Sequence, residues 1–474
     1  MKQLLKNVSN NFKEFGTAIV RGDIWVKMSL LIMGAGYLGR KQFIRAILMT
    51  LLQVGVLVPM FTVFAPYMSK LNTLGTVQRE ETFNALTMTK TVNDYDNSLL
   101  ILLYGIIGIL TVMTFIALYV SNIRAVYREQ LEAERGGHIN SFKDDIISLF
   151  NDRFHITLLI LPSLGVIIMN IIPIIFMVCI AFTNYDDKHQ PPTYLFTWVG
   201  VKNFVTMFTN SQTITFGYAF LRIFIWTIIW AALATATTFF GGIFLAQFIN
   251  NKRTKAKKLW RTLFIITIGI PQFVTLLLVS KMLGDNGIIN TMCANIGILD
   301  FLKNIGLLGK SAQCIPFLSQ PGWAHVTIIL VNIWIGVPFQ MLSATGILMN
   351  IPADQIESAM IDGASRRKVF RHITMPYIMY ICGPSLIQSV IANINNFNVI
   401  YLLTYNYSTA DMAMAGSNAK EVDLLITWLF TLTNDYSNFK MASVIGIITF
   451  VISAVLSLVT FSKMVSGERE GVYR

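Results

Sequence analysis

Residues 351–376 read IPADQIESAMIDGASRRKVFRHITMP and separate two long apolar stretches, 324–348 and 377–403. Pro352 suits the first turn of a helix, and Asp354 and Glu357 complement the positive end of its dipole. Ile356, Ala359, Met360 and Gly363 recur at i, i+3, i+4 and i+7, so this short helix presents one smooth face. Gly363 can end it and Ser365 can cap a second, basic helix, which Pro376 is expected to interrupt before the next apolar stretch. A lever that a soluble partner grips and an ordinary solvated loop both fit this pattern.

Six further apolar stretches, 43–64, 99–120, 155–182, 220–248, 263–283 and 441–461, bring the total to eight. Each is long enough for about 30 Å of hydrocarbon, which takes roughly 20 helical residues. With 54% hydrophobic and 13% charged residues, the 474-residue chain has too few polar groups to cover a soluble globule. The expected fold is an all-α integral membrane protein of eight transmembrane helices. The loop carrying Lys252, Arg253, Lys255, Lys257, Lys258 and Arg261 contains no acid, and that carrying Arg366, Arg367, Lys368 and Arg371 is similarly basic, so both belong on the cytoplasmic side. Counting from either loop places both termini in the cytoplasm and the mixed-charge loops 71–97, 184–217, 284–323 and 404–440 outside. The net charge of +12 follows this topology and implies membrane lipid, with no nucleic acid partner. Residues 1–42 read as a cytoplasmic segment with an interfacial helix, where Trp25 stands beside Arg21 and Lys27.

No Asp, Glu or Lys lies within the cores of these spans, which argues against a proton-coupled carrier. A sodium-coupled carrier or a passive channel can work through carbonyls and amides and stays open at this point. On span six, Asn332, Gly336 and Phe339 share a helical face, as do Ser389, Asn393 and Asn396 on span seven. Carboxamides donate to and accept from hydroxyls, and a ring covers the apolar face of a pyranose. Interhelical hydrogen bonding is the alternative use of such amides.

Glu357, Ser358, Ala359, Asp362, Gly363, Ala364, Phe370, Ile373, Met375 and Pro376 together resemble the EAA loop of ABC importer permeases in its sugar-uptake form. The resemblance runs from span three to the carboxyl end, and the two extra amino-terminal spans look like the MalF branch, the maltose and maltodextrin permeases. It implies a six-helix permease core over 155–474, two added helices and a connector over 43–154, and a coupling loop at 351–376. Glu357, Ala359, Asp362, Gly363 and Ala364 would then meet an ATPase subunit. The implied partners are a second, MalG-like permease subunit, an ATPase dimer, an extracytoplasmic sugar-binding protein and an oligosaccharide, in a bacterial cytoplasmic membrane. ATP and Mg would sit on the ATPase, so this chain binds no cofactor, has no catalytic residues and is a transport subunit rather than an enzyme.

In that branch the sugar is held midway across the membrane by spans six and seven, which implies contacts from Asn332, Ile335, Gly336, Phe339, Asn393 and Asn396. Gln272, after Gly269 and Pro271, could add another from a locally broken helix. Ile268 and Gln272 stand where maltose-binding members have a tyrosine and a serine, and Ala392 stands in place of a phenylalanine. These departures leave maltodextrins and galacto-oligosaccharides both open as substrates. An ABC permease for another solute, or a self-sufficient carrier, is the alternative. Residues 304–311 approach a phosphate loop, but Asn304 replaces its first glycine. The histidines show no metal spacing, and Cys293 and Cys314 share one external loop where a disulfide is chemically permitted.

Overall fold

The computed structural model describes residues 2–84, 88–137, 141–210, 215–251 and 253–471. The chain divides into two compact units, Met1–Gly200 and Val201–Arg474. Among the described residues seven helices are long and apolar enough to cross a membrane, or eight if a helix pair bent by 92° is one span.

In the first unit, α1 (Lys2–Arg21), α2 (Ile24–Met28) and α3 (Ala35–Leu38) precede α4 (Phe43–Ser69), α5 (Ser98–Glu134), α6 (Phe142–Phe150) and α7 (Phe154–Ile180). Where the sequence suggests one helix there are two short ones, α2 and α3, preceded by the twenty-residue α1. Contacts distant in sequence hold α1: Phe15 and Ala18 pack with Ile123 and Val126 of α5, and the Glu14 carboxylate receives Arg124 Nη2 at 2.6 Å and Arg128 Nε at 2.5 Å. Those hydrogen bonds, Arg128's first, pull the Glu14 carboxyl down to about 2. The cytoplasmic connector expected after residue 120 is largely helix, because α5 runs on to Glu134 and carries these arginines.

The fold is mostly helical, with one two-stranded sheet among the described residues. Glu81–Asn84 and Thr89–Val92 form an antiparallel hairpin, with Glu81 opposite Val92, in a segment rich in β-branched threonine. Prolines act differently from expectation. π-helical turns at Met60–Phe64, Ile167–Ile171 and Phe370–Thr374 each end two residues before a proline, Pro66, Pro173 and Pro376. Proline lacks the N–H for its own i−4 bond and its ring clashes with that carbonyl, so widening the preceding turn by one residue lets the helix continue. Pro376 therefore shapes its helix without interrupting it.

The second unit is built on α8 (Phe216–Asn250) and α11 (Pro321–Met349), the most extensively paired helices in the chain. Between them run α9 (Lys257–Gly269) and α10 (Gln272–Met282), the bent pair. After them come α12 (Ala353–Ile361), α13 (366–394), α14 (Phe397–Leu403) and α15 (Phe439–Gly471). Glycines set the α8–α11 approach. A Cβ on Gly242 would lie 2.4 Å from Gln340 Cβ and 2.9 Å from the Met341 nitrogen, and one on Gly336 would lie 2.6 Å from the Thr238 methyl. Small residues let backbones come this close, and in lipid that contact is what holds helices together. Trp226 and Trp230 fill the core on one side of the crossing, Phe239, Ile243 and Met341 that on the other. Near the end of α8, Asn250 accepts from Arg261 of α9 and donates to Thr345 Oγ1 of α11 at 3.3 Å.

Gly242→Leu should prevent this crossing, because the obstacle is backbone rather than a movable side chain; the expected cost is about 1–3 kcal/mol. Gly346→Ala, where an added Cβ meets nothing within 4 Å, should be neutral. Melting midpoints of the two variants in detergent check the contrast, and equal midpoints contradict it.

Candidate functional site

A cavity of 390 Å³ opens in the second unit where α8, α9, α10, α11 and α13 converge. The bend between α9 and α10 supplies one wall. Gly269 ends α9, Ile270 and Pro271 are extended, and Gln272 opens α10 at the cavity, so the broken helix expected at this proline is present. On α11, Asn332, Ile335, Gly336 and Phe339 all line the cavity, as their common face requires, and Asn393 reaches it from α13.

The amides divide into two kinds. Asn393 Nδ2 donates to Thr235 Oγ1 of α8 at 3.0 Å, and the Asn393 main-chain carbonyl accepts from Trp230 Nε1 at 3.1 Å, so Asn393 also ties α13 to α8. Asn396 does not line the cavity. It caps α14 by accepting from the Val399 nitrogen at 3.3 Å and donates to Asn393 Oδ1, also at 3.3 Å, across the break between α13 and α14. Asn332 is different: only 7% exposed, it makes no side-chain hydrogen bond among the described residues. An amide that deeply buried needs a partner, and Asn332 lines the cavity. Gln272 and Gln340 are equally uncommitted. Trp334 and Phe339 keep 53% and 62% of their surface open.

Thr238, Thr275, Trp334 and Gln340 also line the cavity and were missed by sequence reasoning. Gln340 stands four residues after Gly336 and shares its face, so the same spacing rule points to it. Thr238 and Thr275 belong to other helices, and nothing local marks them. Ile268 lines the wall as well and makes this part of it apolar.

In the segment 351–376, α12 follows Pro352, which stands just before the helix rather than in its first turn. Gly363, at φ +80°, closes it: the Gly363 N–H donates to Met360 O at 3.1 Å and the Ala364 N–H to Ala359 O at 2.9 Å, a Schellman turn. Ser365 then caps the next helix by accepting from the Lys368 nitrogen. Glu357 and Asp362 are exposed, and neither side chain has a partner among the described residues. Beside them Met360 is 45% and Ile361 84% exposed, while Ala359 and Ala364 are half-buried. Cys293 and Cys314 stand as free thiols. Cys293 packs beside the Leu299, Leu308 and Ile315 cluster, and burial, with Asp285 nearby, pushes the Cys314 thiol up.

Residues 238–465 match the model of the binding-protein-dependent transport system inner membrane component. The chain belongs to that family, and is a multi-pass permease subunit of an ATP-driven importer whose ATPase is a separate subunit. It is 33% identical over 380 residues to the maltodextrin permease MalC of Streptococcus pneumoniae, covering 80% of this chain and 84% of that one. To the galactooligosaccharide permease GanP of Bacillus subtilis it is 32% identical over 365 residues, covering 76% and 82%. A chain in the crystal structure of a bacterial ABC transporter involved in the import of alginate is 22% identical, with a TM-score of 0.48 over 67% of this chain and 96% of that one.

The two asparagines should separate experimentally. Asn393→Leu removes an interhelical bond and should cost about 1 kcal/mol, whereas Asn332→Leu removes none and should leave the melting midpoint unchanged or higher. A larger loss in Asn332→Leu would mean that this amide is structural.

Proposed function

We propose that the cavity between α8, α10, α11 and α13 holds a segment of an oligosaccharide during import. The observation that carries this reading is the buried, unpartnered Asn332 amide, with Gln272 and Gln340 facing the same space as Phe339 and Trp334. Hydroxyls of a sugar satisfy the amides, and an open ring face covers a pyranose. Asn393 serves as both contact and tie, with Asn396 steadying it. The relatives named for maltodextrins and galactooligosaccharides support the substrate class without choosing within it. A second, MalG-like permease subunit closes the open side where Phe339 and Trp334 stand exposed. An extracytoplasmic sugar-binding protein delivers the substrate.

The remaining parts follow from the same reading. The bent pair counts as one span, which makes eight, and both termini lie in the cytoplasm. Residues 1–42 form the amino-terminal segment, 43–154 the two added helices and connector, and 155–474 the permease core. Within the core, 351–376 is the loop that couples to the ATPase dimer, where ATP and Mg bind. Glu357, Met360 and Ile361 form the gripped surface, Ala359 keeps the inner face of α12 smooth, and Gly363 with Asp362 and Ala364 sets the turn.

Uptake of radiolabelled maltodextrin and galacto-oligosaccharide, each measured in a deletion strain carrying variants, tests the site. Asn332→Leu and Phe339→Ala should each lower uptake about tenfold, since an unpaired hydroxyl or an uncovered sugar face costs about 1–3 kcal/mol. Assembly should stay normal, and unchanged uptake in the double variant overturns the assignment.

Coupling is tested separately. Glu357→Lys reverses a charge at the gripped surface, and Gly363→Val places a branched side chain at φ +80°. Both variants should insert normally yet lose copurifying ATPase or transport-linked hydrolysis. Cysteines at Lys255 and Arg367 should react only with reagents that reach the cytoplasm and one at Asp411 only from outside, and labelling of Arg367 from outside reverses the topology.

A further inference from the structure

A second cavity, of 460 Å³, lies in the first unit at the start of α4, between the turn at residues 40–42 and the start of α6. Its lining includes Arg40, Lys41, Lys143, Ser141, Phe43 and Ile44. The charges there are unequally matched. Arg40 is paired with Asp23 at 3.5 Å, and the neighbouring Arg45 with Glu129 at 2.7 Å and with Asp145. Lys41 and Lys143 are exposed and have no ion-pair or hydrogen-bond partner among the described residues. The closest acid in sequence, Asp144, is turned into a capping box with Ser141, taking the Ser141 N–H at 2.8 Å, and does not line the cavity. Two uncompensated cations therefore face a groove whose lining contains no carboxylate.

The groove also has an apolar side. Phe43, Ile47 and Leu51 follow at i, i+4 and i+8 along α4 and are 60%, 58% and 61% exposed. Phe43 is the first residue of a membrane span, so the lysines stand at the edge of the hydrocarbon and the stripe runs into it. Lys41 itself sits at φ +62°, a left-handed conformation that glycine adopts without cost and lysine does not.

We infer that this groove binds an anionic phospholipid, its phosphate between Lys41 and Lys143 and an acyl chain along Phe43, Ile47 and Leu51. A free inorganic anion would use the lysines but leave the apolar stripe uncovered. A zwitterionic lipid would bring a cation of its own to a groove that already holds two uncompensated lysines.

The backbone at Lys41 makes a clean test possible, because Lys41→Gly removes the charge while relieving the left-handed strain. The assembled importer, purified in detergent, is incubated with phosphatidylglycerol or phosphatidylcholine, and retained lipid is counted by native mass spectrometry. Phosphatidylglycerol should be retained over phosphatidylcholine. Each of Lys41→Gly and Lys143→Gln should weaken its retention about fivefold, as expected for one lysine at a membrane surface. Lys310→Gln, in a loop of the second unit, should change nothing. The melting midpoint of Lys41→Gly without lipid should hold or rise; if it falls, the Lys143→Gln arm alone decides. Equal retention by Lys41→Gly/Lys143→Gln and the unaltered protein, or equal retention of the two lipids, overturns the inference. So does complete displacement of phosphatidylglycerol by inorganic phosphate, which would define a simple anion site.

Discussion

The backbone contact at Gly242 is the constraint on which the second unit depends. Lipid tails are as apolar as leucine, so helices inside a membrane gain little from burying apolar surface against one another. Close packing and interhelical hydrogen bonds have to hold them, and both are concentrated where α8 meets α11. With Gln340 and Met341 seated against Gly242 and Thr238 against Gly336, α11 has one rotation relative to α8. That rotation turns Asn332, Ile335 and Phe339 toward the cavity. The indole of Trp230 then fixes α13 through the Asn393 carbonyl, which brings a third helix to the same space.

Helix breaks and helix bulges serve different ends here. The π turns before Pro66, Pro173 and Pro376 carry a helix past a proline without opening its backbone. The breaks at residues 270–271 and 395–396 open it, one at the wall of the cavity and the other beside Asn393. Irregular backbone at membrane depth is tolerated only where protein or a polar cavity satisfies it; the cavity adjoins the first break, and the Asn396 side chain bonds across the second.

Polar groups follow a similar division. Glu14, Arg40, Arg45 and Asn250 are paired within the chain and hold helices in place. Glu357, Asp362, Asn332 and Gln272 have no side-chain partners among the described residues, and the rings of Phe339 and Trp334 are exposed. On the proposed reading, these are the groups that meet the sugar and the partner subunits.

The apolar stretches, the basic loops and the 351–376 segment were legible in the sequence, because each rests on local composition or on spacing within one helix. The face shared by Asn332, Gly336 and Phe339 was legible for the same reason, as was the weak point at Pro271. Several features were not. The docking of α1 depends on arginines more than a hundred residues away from Glu14, and the cavity's Thr238 and Thr275 come from helices of their own. Which amide is structural and which is free could not be read from residue type, since Asn332 and Asn393 are chemically identical and sit on similar faces. Only the packing of α13 and α11 against α8 gives Asn393 the Thr235 hydroxyl to bond and turns Asn332 toward the cavity.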